Sequence, residues 1–303
     1  MEFNYNLEDI DTSSVDRTCE EVVSLGDKYF QESNSSDITH MFKRFSDLYE
    51  GRDLDYQGID VAYHDLEHTL QVTMCMARLV TNRHIDDSDF SLSGHQYDLC
   101  IASALMHDLG YLKLEGDIIG TGAKYTFVHE QRGCQMAELE LRDIEWGKGD
   151  IELLQNMIMC TGPRASIDKI PFRDDMGLFL GRALCTADYI GQMSDYRYIQ
   201  KLPGLFLEFQ ESDHYRSISE VDRMFNSAED LFTKTPDFWN FIFGAKLQKE
   251  CDNVYNYLAV PYPDGPNHYL EEVEVNIANA RTIVKEGQVE AFIEKYSPSR
   301  LKL

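Results

Sequence analysis

The stretch CIASALMHDLGY, residues 100–111, ends an apolar run with a histidine and an aspartate side by side. The run has the composition of a buried helix, and Gly110, two residues after the pair, is a typical helix stop. A buried carboxylate is costly unless a cation or hydrogen bonds compensate it. We therefore interpret His107 and Asp108 as candidate metal ligands. The alternative is a hydrogen-bonded histidine beside a solvated aspartate.

Two further stretches place ionisable groups in apolar helical patterns. The first is predicted to form a helix from about Tyr63 to Arg83, in which His64 and His68 are four residues apart and lie on one face. The second is LCTADYI, residues 184–190, in which Asp188 is the carboxylate. Two imidazoles and two carboxylates suit a divalent first-row metal ion, with water filling the remaining positions.

The rest of the chain is predicted to be helical, because no stretch shows the alternation of a strand or the signal of a hairpin. The fold class is therefore all-α. Ser13 or Ser14 is expected to cap the first helix, and Asp37 the second. The other helices are expected at about 15–30, 38–49, 128–141, 151–160, 176–193, 205–210, 217–231, 236–257, 268–285 and 289–296.

The composition excludes some classes of partner. The 303 residues carry a formal charge of -25, whereas binding to a nucleic-acid polymer or an anionic membrane needs a basic surface. The seven cysteines are dispersed without a CxxC pair, which indicates reduced thiols in a cytoplasmic protein. The first 14 residues do not fit a signal peptide, and no apolar run approaches the length of a membrane span.

The ordered set of these residues resembles the HD superfamily of metal-dependent phosphohydrolases. That family has a histidine, then an adjacent His-Asp pair, then a distant aspartate, each on a different helix. His68, the pair His107-Asp108, and Asp188 match in order and in helical context. The resemblance covers about residues 60–195 and implies an HD-domain helical bundle with these four side chains as metal ligands.

YHDLEH, residues 63–68, is similar to the Tyr-His-Asn-x-x-His signature of class I cyclic-nucleotide phosphodiesterases. The resemblance implies that His68 binds metal and that His64 is the general acid that protonates the leaving oxygen. Asp65 stands where that family has asparagine. The family's second signature, His-Asp-x-x-His, has no counterpart after Asp108. The sequence therefore does not predict specificity for a cyclic nucleotide.

Part of the sequence also resembles the HD-GYP branch, in which a histidine on the next helix helps to hold a further metal ion. His129 matches that position, but the paired histidines of that branch would fall near Cys160 and Thr161, where there are none. Two roles for His129 are therefore left open. It helps to hold a second ion that Asp108 bridges, or it has a purely structural role. In the loop 112–125, Lys124 is the candidate contact for a substrate phosphate.

These features predict a phosphohydrolase that uses one or two divalent ions (Mg, Mn, Fe or Zn) to generate hydroxide near neutral pH. A small nucleotide phosphodiester is the favoured substrate, because His64 supplies an acid. The alternatives are an HD-type nucleotidase or nucleoside-triphosphate hydrolase, a non-catalytic ligand-sensing module, and a di-iron oxygenase. The expected partners are a small phosphorylated substrate, with no nucleic-acid polymer or membrane, and a homodimer is left open.

The chain is expected to form one domain with three parts. Residues 1–60 are an N-terminal helical segment packed on the core, residues 61–200 are the catalytic core, and residues 201–303 add helices that complete the same domain. The C-terminal part carries no motif. From its position it is expected to close one side of the pocket and to determine which substrate fits.

Overall fold

The computed structural model describes residue 7 and residues 11–86, 91–142, 144 and 146–298. These residues form α-helices joined by turns and short 3₁₀ segments, so the predicted all-α class is confirmed. Their β-structure is one isolated bridge, between Tyr56 and Leu114. The α-helices are α1 Val15–Tyr29, α2 Ser35–Tyr49, α3 Leu66–Asp86, α4 Gly94–Met106, α5 His129–Glu140, α6 Lys148–Met159, α7 Asp175–Met193, α8 Tyr198–Tyr215, α9 Ala228–Phe241, α10 His268–Lys285 and α11 Val289–Tyr296.

Helices α3 and α7 form the centre of the molecule and pack against each other. Buried residues occur all around both helices, which is the pattern of helices that other elements surround. Helices α1 and α4 cover α3, and α6 and α10 cover α7. The ends of α3 and α7 that carry His68 and Asp188 therefore lie inside the protein, next to the end of α4.

The flanking segments pack on this centre. Helix α1 packs on α2, α3 and α4, while α9 packs on α8, α10 and α11. One hydrophobic cluster extends from Val22 in α1 to Ile293 in α11. The division into three parts at residues 60 and 200 remains a prediction. Among the described residues, no helix is long and apolar enough to cross a membrane.

Several predicted helix ends are confirmed, and others are wrong. The Ser14 side chain accepts a hydrogen bond from the Arg17 amide and caps α1 as predicted. The cap of α2 is Asn34 rather than Asp37, because the Asn34 side chain accepts from the backbone amides of Ser36 and Asp37. This cap adds a turn to the start of the predicted helix.

The C-terminal half differs most from the prediction. Helix α8 continues through Pro203, where the sequence suggested a break, because the buried Leu202 and Phe206 anchor it to the core on both sides of the proline. Helix α9 likewise contains Pro236 and passes into a π-helical segment, Ile242–Glu250. In both places tertiary packing overrides the local preference of proline.

Gly110 is required because two backbones approach each other closely. Its φ is not in the left-handed region, so it does not end α4 in the way a C-terminal glycine commonly does. A Cβ atom at this position would instead lie 1.9 Å from the carbonyl oxygen of His129. The glycine thus lets α5 begin directly against the end of α4, which brings His129 next to the His107-Asp108 pair.

The Gly110→Ala variant is therefore expected to lose stability. The added methyl group must displace the start of α5, and overpacking of this kind costs about 1–3 kcal/mol or more in the free energy of unfolding. Urea unfolding followed by circular dichroism measures the loss. The control is Gly116→Ala, because a Cβ at Gly116 meets no atom within 4 Å. Equal stability of the two variants would contradict the close approach at Gly110.

Candidate metal centre

Four side chains from three helices converge at one buried point. His68 lies in the first turn of α3, His107 and Asp108 follow the last residue of α4, and Asp188 lies in α7. The Nε2 atoms of the two histidines are 3.3 Å apart. Oδ2 of Asp108 is 3.2 Å from each of these nitrogens, and Oδ1 of Asp188 is 3.6 Å and 3.7 Å from them. The structure thus brings together all four predicted ligands.

The geometry of this cluster fits a bound cation better than a set of mutual hydrogen bonds. Oδ2 of Asp108 is buried and makes no hydrogen bond, although two ring nitrogens lie near it. The Nδ1 atom of His107 lies 2.8 Å from the carbonyl oxygen of Ala104 and donates to it, so Nε2 is the ring nitrogen that faces the cluster. Even without Asp108, the side chains of His68, His107 and Asp188 offer ligand atoms within 4.8 Å of one another.

The ionisation of the cluster follows from burial and proximity. Burial lowers the pKa of His68 to about 4 and raises the pKa of Asp188 to about 6. Burial would also lower the pKa of His107, but the Asp108 carboxylate outweighs it and raises the pKa to about 9. In turn, His107 overcomes the effect of burial and holds the pKa of Asp108 well below its usual range. His68 is thus neutral, as a metal ligand must be, and a divalent ion that binds His107 would displace its proton.

His129 lies on the opposite side of Asp108. Its Nδ1 atom is 2.7 Å from the carbonyl oxygen of Thr126, which fixes this nitrogen as a donor. Its Nε2 atom is 3.4 Å from Oδ1 of Asp108, whereas the contacts of His68 and His107 with this carboxylate are to Oδ2. The two oxygens of Asp108 therefore face two different sets of imidazole nitrogens, which is the arrangement expected of a bridging carboxylate.

His64 lies in the turn before α3 and not on the helix, so the prediction that α3 begins at Tyr63 is wrong. The physical reason is that Oδ1 of Asp65 accepts a hydrogen bond from the His68 amide, 2.9 Å away, and thereby starts the helix at Leu66. The His64 ring nevertheless lies 5.5 Å from the His68 ring, measured between centroids. It therefore lies beside the cluster as the sequence suggested, although it is held there by the turn before α3 and not by the helix.

Glu208 holds His64 in place. Its Oε2 atom lies 2.5 Å from Nδ1 of His64, and its Oε1 atom accepts hydrogen bonds from the amides of Tyr63 and His64. Burial would lower the pKa of His64, but the carboxylates of Glu208 and Asp108 outweigh it and raise the pKa to about 9. His64 is therefore protonated near neutral pH.

The structure places Lys124 outside this site. Its side chain is buried, and Nζ donates to Oδ1 of Asp117 and to the carbonyl oxygen of Ile119 at 2.5 Å each. It does not line the cavity beside the cluster. The loop 112–125 thus uses this ammonium group to hold its own conformation, contrary to the predicted phosphate contact.

A cavity of about 340 Å³ opens from the cluster to the surface. His64, Asp108, His129 and Asp188 lie at its base, and residues of α7, α8, α9 and the π-helical segment form its walls. Gln192 also lines it. The Gln192 side chain donates to Oδ1 of Asp188 at 3.0 Å and so orients that carboxylate.

Sequence reasoning missed Glu208 and Gln192. Glu208 stands in the apolar run LFLEF, residues 205–209, which is the same signal that singled out Asp188. Gln192 follows Asp188 by one helical turn, a spacing at which side chains meet. The signal at Glu208 does not identify its partner, because Glu208 and His64 are 144 residues apart in the chain.

The sequence matches the Npun_R2479-like family over residues 54–245. The chain belongs to this family. The matched region contains the four residues of the cluster, together with His64, His129 and Glu208. No curated protein matches the sequence.

Two solved structures resemble the fold of this Npun_R2479-like protein. Both are the phosphodiesterase domain of the rhodopsin phosphodiesterase of the choanoflagellate Salpingoeca rosetta. The first has 15% sequence identity and a TM-score of 0.62, and covers 94% of this chain and 92% of that chain. The second has 14% identity and a TM-score of 0.60, and covers 94% of each chain. At these identities the similarity shows the fold alone.

Proposed function

We propose that this protein is a metal-dependent phosphodiester hydrolase of the HD type. The observation that carries the proposal is the buried cluster of His68, His107, Asp108 and Asp188, which opens into a cavity beside His64, whose ring is held by Glu208. The phosphodiesterase domains that share the fold are consistent with this proposal. A nucleotide as the substrate, a cytoplasmic location and a homodimer remain predictions from the sequence.

The four clustered residues would hold one divalent ion, and Asp108 with His129 would contribute to the site of a second. When bound, such an ion lowers the pKa of water from 15.7 toward about 7 and withdraws charge from phosphoryl oxygens. The buried carboxylates contribute negative charge that keeps the ion in place. Gln192 fixes the orientation of Asp188 through the hydrogen bond to Oδ1.

His64 would act as the general acid. As the P–O bond to the leaving group breaks, the departing oxygen gains negative charge and needs a proton. Protonated His64 lies at the base of the cavity, and Nδ1 is held by Glu208, so Nε2 is the atom that carries the transferable proton. The buried Glu208 stabilises the imidazolium before the transfer, and water reprotonates the ring afterwards. This acid distinguishes the site from one that only binds phosphate.

Removal of metal tests the proposal. We expect protein dialysed against EDTA to hydrolyse bis-(p-nitrophenyl) phosphate at least about a hundredfold more slowly than the metal-loaded protein, and Mn²⁺, Mg²⁺, Fe²⁺ or Zn²⁺ to restore the rate. Elemental analysis of the loaded protein gives the number of ions per chain. Faster cleavage of p-nitrophenyl phosphate than of the diester would favour a monoesterase, and hydrolysis unaffected by metal removal would overturn the proposal.

A further inference from the structure

The cavity beyond the cluster has mainly apolar walls. Aromatic and aliphatic side chains from α8, α9 and the π-helical segment line it, among them Phe209, Leu231 and Ile242. Leu231 and Ile242 are also part of the hydrophobic core cluster. A volume of about 340 Å³ lies within the range of pockets that enclose most of a small ligand. Whatever occupies the upper part of this cavity therefore contacts mostly carbon atoms.

Several polar side chains in these walls are already engaged with the protein, and the hydroxyl groups of Tyr111 and Tyr189, which have no hydrogen-bond partner in the described part of the chain, are themselves buried. Gln192 is the only side-chain amide among the described lining residues, and both of its ends are occupied. Its Nε2 atom donates to the carbonyl oxygen and Oδ1 of Asp188, and its Oε1 atom accepts from the Tyr63 hydroxyl at 2.8 Å. It would have to give up these bonds, and with them the orientation of Asp188, before it could bind a ligand.

The threonine hydroxyls of the cavity are engaged in the same way. Thr126, Thr161 and Thr235 each donate to a backbone carbonyl oxygen of their own helical turn, at 2.6 Å, 2.8 Å and 3.0 Å. A buried nucleobase carries several donors and acceptors on its edge, and each one left without a partner is penalised. The walls thus suit a group without polar atoms better than they suit a base.

The mouth of the cavity is apolar and carries positive charge. Phe238, Phe241 and Met224 line the cavity and are also 39%, 61% and 45% exposed. Two exposed cations stand at the same opening, Arg164 and Lys234, and Nζ of Lys234 is paired with Oδ2 of Asp230 at 2.8 Å. In a protein of net charge -25, Arg164 provides local attraction for an anionic phosphoester whose apolar part enters between the aromatic rings, whereas Asp230 offsets the charge of Lys234.

From these contacts we infer that one ester group of the substrate is an extended alkyl chain, which lies in the apolar cavity while the phosphate meets the metal centre. The inference rests on the proposed phosphodiester hydrolysis and defines its substrate class. Hydroxide from water forms the new P–O bond, the bond to the leaving alcohol breaks, and His64 supplies the proton to that alcohol. The products are an alkyl phosphate monoester and an alcohol, or the alkyl alcohol and the other monoester.

A chain-length series tests the inference. The substrates are methyl, butyl, hexyl and octyl p-nitrophenyl phosphate, each used below the concentration at which it aggregates, with thymidine 5′-(p-nitrophenyl phosphate) as the nucleoside comparison. We expect kcat/KM of the metal-loaded protein to rise about threefold per added methylene, because each buried methylene adds a constant increment of transfer free energy. The nucleoside ester should be cleaved more slowly than the octyl ester.

Variants at the mouth provide the matched control. In Phe241→Ser, the exposed ring is lost from the opening, and kcat/KM for the octyl ester should fall about tenfold while the value for the methyl ester stays the same. Tyr196→Ser removes another exposed aromatic side chain, one that does not line the cavity, and should change neither value. A kcat/KM that is independent of chain length, or a nucleoside ester cleaved faster than the octyl ester, would overturn the inference.

Failure of the inference and failure of the proposed function are distinguishable. Binding of methylphosphonate and octylphosphonate to the metal-loaded protein, measured by calorimetry, does not depend on turnover. If no ester is cleaved but octylphosphonate binds at least about a hundredfold more tightly than methylphosphonate, the apolar site stands and the proposed hydrolysis fails. If bis-(p-nitrophenyl) phosphate is cleaved and the two phosphonates bind equally, the hydrolysis stands and the alkyl specificity fails.

Discussion

In the Asp108→Asn variant we expect bound metal to be lost and hydrolysis of bis-(p-nitrophenyl) phosphate to fall at least about a thousandfold. The Asp108 carboxylate contacts both groups of histidines in the site. Oδ2 lies 3.2 Å from the ring nitrogens of His68 and His107, and Oδ1 lies 3.4 Å from that of His129. The substitution keeps the shape of the side chain and removes its charge, so the loss reports on the electrostatics of the centre.

The stability of the protein with and without metal tests the same prediction and does not depend on activity. Metal that binds only the folded protein raises the free energy of unfolding by about 2.7 kcal/mol at a hundred times its Kd. We expect this stabilisation in the parent protein and not in Asp108→Asn, measured by thermal unfolding with and without the ion.

The matched control for this variant is Asp98→Asn. Asp98 is also buried, but it accepts hydrogen bonds from the Ser33 hydroxyl and the Asn34 amide, and neither of these residues belongs to the cluster. This variant should lose stability and keep its metal. If Asp108→Asn retains the metal and its turnover while Asp98→Asn behaves as expected, the metal centre is not where the cluster places it.

The ligand set could be predicted from the sequence because its carboxylates stand where apolar side chains are expected. Asp108 and Asp188 are carboxylates within apolar helical runs, and a globular protein places such groups there only with compensation. The helical period then shows that they belong to buried faces. The packing of α3 on α4 and α7 brings these residues together. The sequence predicts this packing only through its resemblance to the HD superfamily.

The parts that could not be predicted depend on tertiary packing. The first residue of α3 follows from the hydrogen bond between Asp65 and the His68 amide, whereas the apolar pattern alone extends to Tyr63. Pro203 and Pro236 signal helix ends locally, but the core holds α8 and α9 together across them. From the sequence, this part of the chain is expected to close one side of the pocket, but because the local signals misplace these helices, they do not predict which side chains line the cavity.

The Glu208→Gln variant is expected to reduce kcat about a hundredfold or more and to move the alkaline limb of the pH–rate profile to lower pH. The parent pKa of His64 is about 9, because Glu208 and Asp108 outweigh the effect of burial. Since the protonated ring is the active form, activity in the parent falls as pH rises through that value. Without the Glu208 charge, burial lowers the pKa, and the limb should move down by about 1–3 pH units.

The structure also determines what the new amide does. Glutamine can keep an oxygen for the amides of Tyr63 and His64, but its NH₂ group then faces Nδ1 of His64 and donates to it. The ring is thereby held neutral with its proton on Nε2, a form that is a much weaker acid. A lower kcat together with a displaced limb therefore separates loss of the acid from simple loss of packing.

Glu211→Gln is the control for this experiment, because it removes the same charge from the same helix. Glu211 accepts hydrogen bonds from the amide and hydroxyl of Thr121 and does not line the cavity. Its pH–rate profile should coincide with that of the parent protein. If both variants lose activity equally and neither limb moves, Glu208 only supports the fold. If the Glu208→Gln limb alone moves to lower pH, the acid is His64 and the carboxylate that keeps it protonated is Glu208.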